Sequence, residues 1–298
     1  MNPAAAAINV VAERQPDVVH GHGAKGGAFA RLAPASGIRA YTPHGGSLHY
    51  GRWTPQGMIY GTIERVLMRR TNLLLFESSF AQQTYETAVG LPACPVKVVH
   101  NGVSPGEFEP IAPGKDATDL VAIGELRHIK GIDVLIEAIA LLAAGGRHVS
   151  ATIVGEGPDG QTFRDLTAQR GLASAVGFAG YRKAREAFAL GKLLIVASRA
   201  ESLPYIVLEA AAAEVPMVAT RVGGIPEIFG SPNPLIQPGD EAALAAAISQ
   251  RLDDMPGAQA SAQGLRARVR SLFSQDAMVD GVLAAYEVAI RAKFHQSH

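Results

Sequence analysis

Residues 193–214 read LLIVASRAESLPYIVLEAAAAE. Leu193 to Ala197 is a short unbroken apolar run, the pattern of a strand covered on both faces. Ser198 to Leu203 is small, polar and charged, and reads as a loop. Ser202 offers the hydroxyl of a helix N-cap, and Pro204 suits a first helical turn. From Tyr205 to Ala213 the expected helix is apolar on every face except at Glu209, so it should be buried and should carry that carboxylate into poorly solvated surroundings. Strand, loop and helix in that order form one βα unit.

The same unit recurs along the chain. Val18 to His20, Ala40 to Pro43, Leu73 to Phe76, Lys97 to Val99, Leu120 to Ile123, Ala151 to Val154 and Met217 to Ala219 read as further buried strands, with helical stretches between most of them. Such alternation predicts parallel sheets with crossover helices, an α/β fold of two Rossmann-like halves. SPGEFEPIAPGKDAT, residues 104–118, is rich in proline, glycine and charge and reads as an interdomain linker. The expected division is residues 1–107 and 108–298, with a C-terminal helix free to cross back. The N-terminal half opens on one helical stretch, Ala4 to Arg14, and its first strands are expected to be missing, which would leave an apolar edge and favour association.

Composition narrows the function classes. Of 298 residues 48% are hydrophobic and 18% charged, which suits a globular chain. Lysine plus arginine equals aspartate plus glutamate at 27 each, so no overall field draws the chain to nucleic acid. Cys94 is the only cysteine, which excludes an internal disulfide and a multi-cysteine zinc site and fits a reducing, cytoplasmic setting. The sequence shows neither a secretory signal pattern nor an apolar run of about eighteen residues.

Two carboxylates stand out. Glu209 either reaches back to solvent or a basic residue, or accepts hydrogen bonds from paired hydroxyls such as those of a ribose while the N–H groups at the helix start face a phosphate or sugar. Glu201 lies just before the helix, near the same opening, or is simply an exposed loop residue. Lys130 precedes Gly131 and a helix, Asp133 to Ala144, whose expected cap is Asp133. A cation beside a helix N-terminus calls for an anion between them, and a bound diphosphate would supply one. A solvated lysine is the alternative.

Glu201 and Glu209, two glutamates separated by seven residues, with Ser198 to Pro204 and Gly223-Gly224-Ile225-Pro226-Glu227 around them, resemble the signature of the retaining GT-B glycosyltransferases of family 4. Thr42-Pro43-His44-Gly45, Glu77-Ser78, His100-Asn101-Gly102-Val103, Gly124 with Lys130-Gly131, Val154-Gly155-Glu156-Gly157-Pro158 and Gly177-Phe178-Ala179-Gly180 follow in the family's order. The resemblance, from about Pro16 to the C-terminus, implies a GT-B fold, two Rossmann-like domains facing across a cleft. It implies that Glu209 binds the nucleotide ribose, that Glu201 contacts the donor sugar, and that Leu203, Pro204, Tyr205 and Ile206 present the backbone to the donor. It further implies that Lys130 holds the diphosphate and that His44 approaches the sugar from the N-terminal domain. The family usually has an arginine directly after the glycine of the preceding strand; Glu125 stands there, and Arg127 is the candidate substitute. Asn101 and Gly102 either shape the hinge side or simply form a turn.

These implications lead to a transferase that moves a sugar from a nucleotide diphosphate to a saccharide or lipid-linked acceptor with retention, using no further cofactor. The alternatives are a truncated, inactive nucleotide-sugar-binding partner, with another chain covering the incomplete sheet, or an NAD(P)-dependent sugar-modifying enzyme. Gly21-His22-Gly23-Ala24-Lys25-Gly26 spells G-x-G-x-x-G, yet no acidic residue occurs from Gly21 to Ile63 to hold a ribose. His20 and His22 at i, i+2 lack a nearby third metal ligand, and no D-x-D triplet occurs. Arg65, Arg69 and Arg70, on an expected helix from Thr62 to Arg70, either touch an anionic membrane at its inner face or form a solvated face.

Overall fold

The computed structural model describes residues 3–44 and 54–295. The chain divides into two compact units, Met1–Asn101 with Asp276–His298, and Gly102–Gln275. In chain order the first contains α1 (Pro3–Arg14), β1 (Val18–His22), α2 (Gly23–Leu32), β2 (Ile38–Thr42), α3 (Pro55–Met68), β3 (Leu73–Phe76), α4 (Ser79–Ala88) and β4 (Val96–Val98). Its described strands are all parallel, in the order β1-β2-β3-β4.

The second unit runs through β5 (Thr118–Ile123), α5 (Ile132–Ala144), β6 (Ala151–Val154), α6 (Gly160–Gln169), β7 (Val176–Phe178), α7 (Ala184–Phe188) and β8 (Gly191–Val196). It continues through α8 (Tyr205–Ala212), β9 (Met217–Ala219), α9 (Ile225–Phe229), α10 (Glu241–Asp253) and α11 (Met255–Leu272). Its sheet is also parallel, ordered β7-β6-β5-β8-β9. The last helix, α12 (Gln275–His295), packs with the first unit.

Strand periodicity explains the layering, because alternate side chains point to opposite faces. In β3, Leu73 and Leu75 pack with Ile38, Ala40 and the α12 residues Ala285 and Ala289, while Leu74 and Phe76 pack with Tyr41, Tyr85 and Val89 on the other face. In the second unit Leu120, Ala122, Leu193 and Ile195 face α5, and Val121, Leu194 and Val196 face Val207, Leu208 and Ala211 of α8. Both faces of each sheet are therefore covered, and strands such as β3 and β9 read as unbroken apolar runs.

Residues 104–118 are not a free linker. Phe108 is buried in the second unit's core, and Ile111 N–H and Gly114 N–H donate to the carbonyls of Ala213 and Ala189. The proline-rich composition thus marks an irregular segment bound to the second unit, and the division falls before it. One strand escapes the apolar-run criterion: β7 has only three residues, with Gly177 at its centre. The arginine-bearing helix also differs, since α3 starts at Pro55 and ends at Met68. Arg65 is exposed, and its guanidinium donates to the carbonyls of Val89 and Ala88 and closes the C-terminal end of α4. No described helix is long and apolar enough to cross a membrane.

Candidate functional site

In the second sheet the order reverses direction between β5 and β8, and loops at the carboxyl ends of such strands form the natural ligand crevice of an open α/β sheet. The loop after β5 carries Gly124 to Gly131, and the loop after β8 carries Ser198 to Pro204. Their backbones meet: Arg199 N–H donates to Ile129 O at 2.8 Å, and a Cβ on Gly131, whose φ is +68°, would lie 2.0 Å from Ala197 O. Only glycine permits that approach.

This junction sets Lys130 against Glu201. Lys130 Nζ donates to Glu201 Oε1 at 2.6 Å, and Ser198 Oγ donates to the same oxygen at 2.7 Å. Glu201 is only 10% exposed and Lys130 29%, so Glu201 is not the exposed loop residue that its position allows. The pairing also corrects the argument from the helix dipole, because the anion beside Lys130 is a side chain of the protein. Ser198 is held by Thr220, whose hydroxyl donates to Ser198 O at 2.7 Å.

Two expected caps are absent. Asp133 does not cap α5, whose N-cap is Gly131; its carboxylate takes a two-pronged pair from Arg199 at 2.7 and 2.6 Å. Burial raises the Asp133 pKa, but the Arg199 bonds outweigh it and hold the group below the usual range. Ser202 does not cap α8 either: Pro204 is the N-cap, without a side-chain acceptor, and Ser202 O instead accepts from Gly224 N–H at 2.6 Å. A Cβ on Gly223, φ +56°, would lie 2.0 Å from Glu201 O, so the Gly223-Gly224 pair is needed to seat the glutamate loop.

Glu209 lies within α8, partly buried, while Leu203 and Pro204 before it are buried and Tyr205 is exposed. Its carboxylate makes no hydrogen bond or ion pair among the described residues. Burial first, and the neighbouring Glu107 second, raise its pKa; Glu107 is itself 3.5 Å from Arg185. Arg127 does not join Lys130. It pairs with Glu125 at 3.7 Å, both side chains 56% exposed, so its charge offsets the carboxylate that stands in the expected arginine position.

In the first unit the strand ends gather histidines. His22 Nδ1 lies 2.9 Å from His44 Nε2, and the His20 and His22 rings are 4.1 Å apart. The turn expected at Gly45-Gly46 lies outside the described residues. Sequence reasoning singled out His44 and weighed His20 with His22 only as metal ligands; among the described residues no group of three histidine, cysteine or carboxylate side chains is arranged to hold a metal. Of the G-x-G-x-x-G glycines Gly21 is required by packing, since a Cβ there would collide with Gly26 O, and Gly23 has φ +63°, whereas a Cβ on Gly26 would meet nothing closer than 3.9 Å. Two contributors went unrecognised, Ser198 beside Glu201 and Glu107 beside Glu209. Glu107 carries no local signal, being brought near only by the fold.

The chain matches two family models, one described as glycosyl transferases group 1 over residues 117–254 and one as glycosyltransferase family 4 over residues 2–107. It is 32% identical to EpsD of Bacillus subtilis, named as a glycosyltransferase, over 259 residues, covering 78% of this chain and 67% of that protein. It is 27% identical to the glycogen synthase of Mycobacterium tuberculosis over 298 residues, covering 94% and 70%. Among solved structures, Anabaena HepE in complex with UDP superposes with a TM-score of 0.80 at 19% identity, covering 96% of this chain and 82% of that one. The sucrose-phosphate synthase of Thermosynechococcus elongatus gives 0.82 at 20% identity, covering 97% and 77%.

Proposed function

This chain belongs to the group 1, family 4 glycosyltransferases and has their GT-B fold, and on that premise we propose that it transfers a sugar from a nucleotide diphosphate to a saccharide or lipid-linked acceptor with retention of configuration. The observation that carries the donor half is Glu209, a partly buried carboxylate without a hydrogen-bond or ion-pair partner among the described residues. Such a group is costly unless something donates hydrogen bonds to its oxygens, and paired ribose hydroxyls do so. HepE, a structural neighbour, binds UDP and UDP-glucose, and UDP is therefore the probe of choice.

In this reading Glu209 takes the ribose, the backbone from Leu203 through Pro204, Tyr205 and Ile206 faces the donor, and Lys130 meets the diphosphate. Since Lys130 is already bonded to Glu201, phosphate competes with that carboxylate, and Glu201 is released toward the sugar as the donor enters. Charge on the departing diphosphate is then met by Lys130 and the start of α8. His44 contacts the sugar from the first unit, and the acceptor attacks on the face that the diphosphate leaves. Arg127, 3.7 Å from Glu125 with both side chains exposed, is the second candidate cation for the diphosphate. The experiment is calorimetric titration of UDP and 2′-deoxy-UDP into wild type and Glu209→Ala. Wild type should prefer UDP and the variant should lose about tenfold in UDP affinity and most of that preference; equal affinities would overturn the ribose role.

Contact with a membrane surface is favoured by α3. Met58, Ile59, Ile63 and Val66 are exposed on it, and Arg69 and Arg70 follow its end, an apolar face with flanking cations that suits an anionic surface. Co-sedimentation with phosphatidylglycerol vesicles checks this; binding that survives Ile59→Glu/Ile63→Glu would remove α3 from it.

A further inference from the structure

We propose that His22 is a positioning residue for His44, fixing the plane and the tautomer of the ring that meets the donor sugar. The inference rests on the reading of His44 given above.

β1 and β2 run parallel with His22 opposite Thr42, so His22 ends its strand level with the end of β2 and His44 follows two residues on. Their rings stack at 21° with centroids 5.1 Å apart, and His22 Nδ1 lies 2.9 Å from His44 Nε2. At that distance one proton lies between the two nitrogens. If His22 Nδ1–H donates, His44 carries its own proton on Nδ1; if His44 Nε2–H donates, its Nδ1 presents a lone pair. The atom that His44 offers away from the pair is thus set by His22. A first added proton keeps the single N–H···N bond, whereas a second would point two N–H groups at each other.

The surroundings hold His22 in place. His20 has both nitrogens engaged, Nδ1 with the Tyr286 hydroxyl at 2.7 Å and Nε2 with Thr42 Oγ1 at 2.9 Å. Burial first, then His22 and His44, lower His20 to about 4, so the ring packed at a tilt against His22 is neutral. Among the described residues the groups that face His22 are His20, His44 and Glu77; burial and His44 lower its pKa and Glu77 raises it. His44 also has a left-handed backbone, φ +50°, a conformation that a non-glycine residue keeps only where its surroundings impose it. The ring at the end of the line Tyr286, His20, His22, His44 is anchored through α12.

The test uses the full chain labelled with 15N-histidine, the His44 ring signals being assigned by their loss in His44→Ala. Wild type should show one His44 tautomer, His22→Ala a mixture, and His22→Asn one tautomer again, because its amide occupies the place of Nδ1 without titrating. UDP release from UDP-glucose should fall about tenfold in His22→Ala with UDP affinity unchanged, and recover in His22→Asn with an altered acid limb of the pH profile. Unchanged His44 signals in His22→Ala, or no recovery in His22→Asn, would overturn the positioning role alone. UDP release at the wild-type rate in His44→Ala would overturn the reading of His44 itself, and this role with it.

Discussion

Lys130 Nζ donates to Glu201 Oε1 at 2.6 Å across the two loops at the switch point of the second sheet, so the cation best placed for a phosphate is already committed to a carboxylate. Lys130→Ala should leave Glu201, nearly buried, with the Ser198 hydroxyl as its donor and no cation among the described residues. The expected loss is about 1–3 kcal/mol, below the cost of breaking a fully buried pair because Lys130 is partly solvated. Urea unfolding of Lys130→Ala, Glu201→Gln and the double variant checks this. The double variant should be less destabilised than the two single losses summed; strict additivity would deny the coupling.

Glu209 takes up its proton at a higher pH than an exposed glutamate, because burial and then Glu107 disfavour its charged form. The charged form is the better acceptor for ribose hydroxyls. UDP affinity should therefore weaken as pH falls through that raised pKa, and the difference between wild type and Glu209→Gln should shrink over the same range. A constant difference across the acid range would show that Glu209 ionisation is not linked to binding.

Two glycines with almost the same backbone separate strain from close approach. Gly131, φ +68°, would bring a Cβ within 2.0 Å of Ala197 O, whereas Gly171, φ +70°, has nothing within 4 Å. Gly171→Ala should cost about 1 kcal/mol from backbone strain alone. Gly131→Ala should cost at least about 3 kcal/mol, since the β5 and β8 loops must part. Similar thermal shifts for the two would contradict the contact.

His20 gives stability a pH dependence of definite sign. Its folded pKa, about 4, lies below the ordinary 6.5, so the unfolded chain binds the proton more readily between those values. Stability from this group is present above about pH 6.5 and is lost as pH falls toward 4. In His20→Gln, which keeps a polar side chain but does not titrate, the unfolding midpoint should change less over that window. A parallel decline in both proteins would assign the acid sensitivity elsewhere.

The strands were legible because buried parallel strands are written as local apolar runs, and β3 and β6 have the bounds that the sequence indicates. β7 was not, since three residues around a glycine make no such run. The caps misled for a different reason: Asp133 and Ser202 have side chains suited to capping, but Arg199 claims the first and the second lies two residues before Pro204. Proline and glycine in residues 104–118 signal irregular backbone, and they do not tell whether it hangs free or is bound, as Phe108 shows.

By itself the sequence determined the α/β alternation, the glutamate pair flanking the start of α8, and the isolation of Glu209 in an apolar helix. These features depend on spacings of a few residues, where backbone geometry is the only intermediary. Tertiary structure alone decided that Lys130 meets Glu201, that Asp133 meets Arg199, that Glu107 faces Glu209, and that His22 meets His44. Those partners are separated by up to about a hundred residues in the sequence, and the order and register of parallel strands bring them to one end of a sheet.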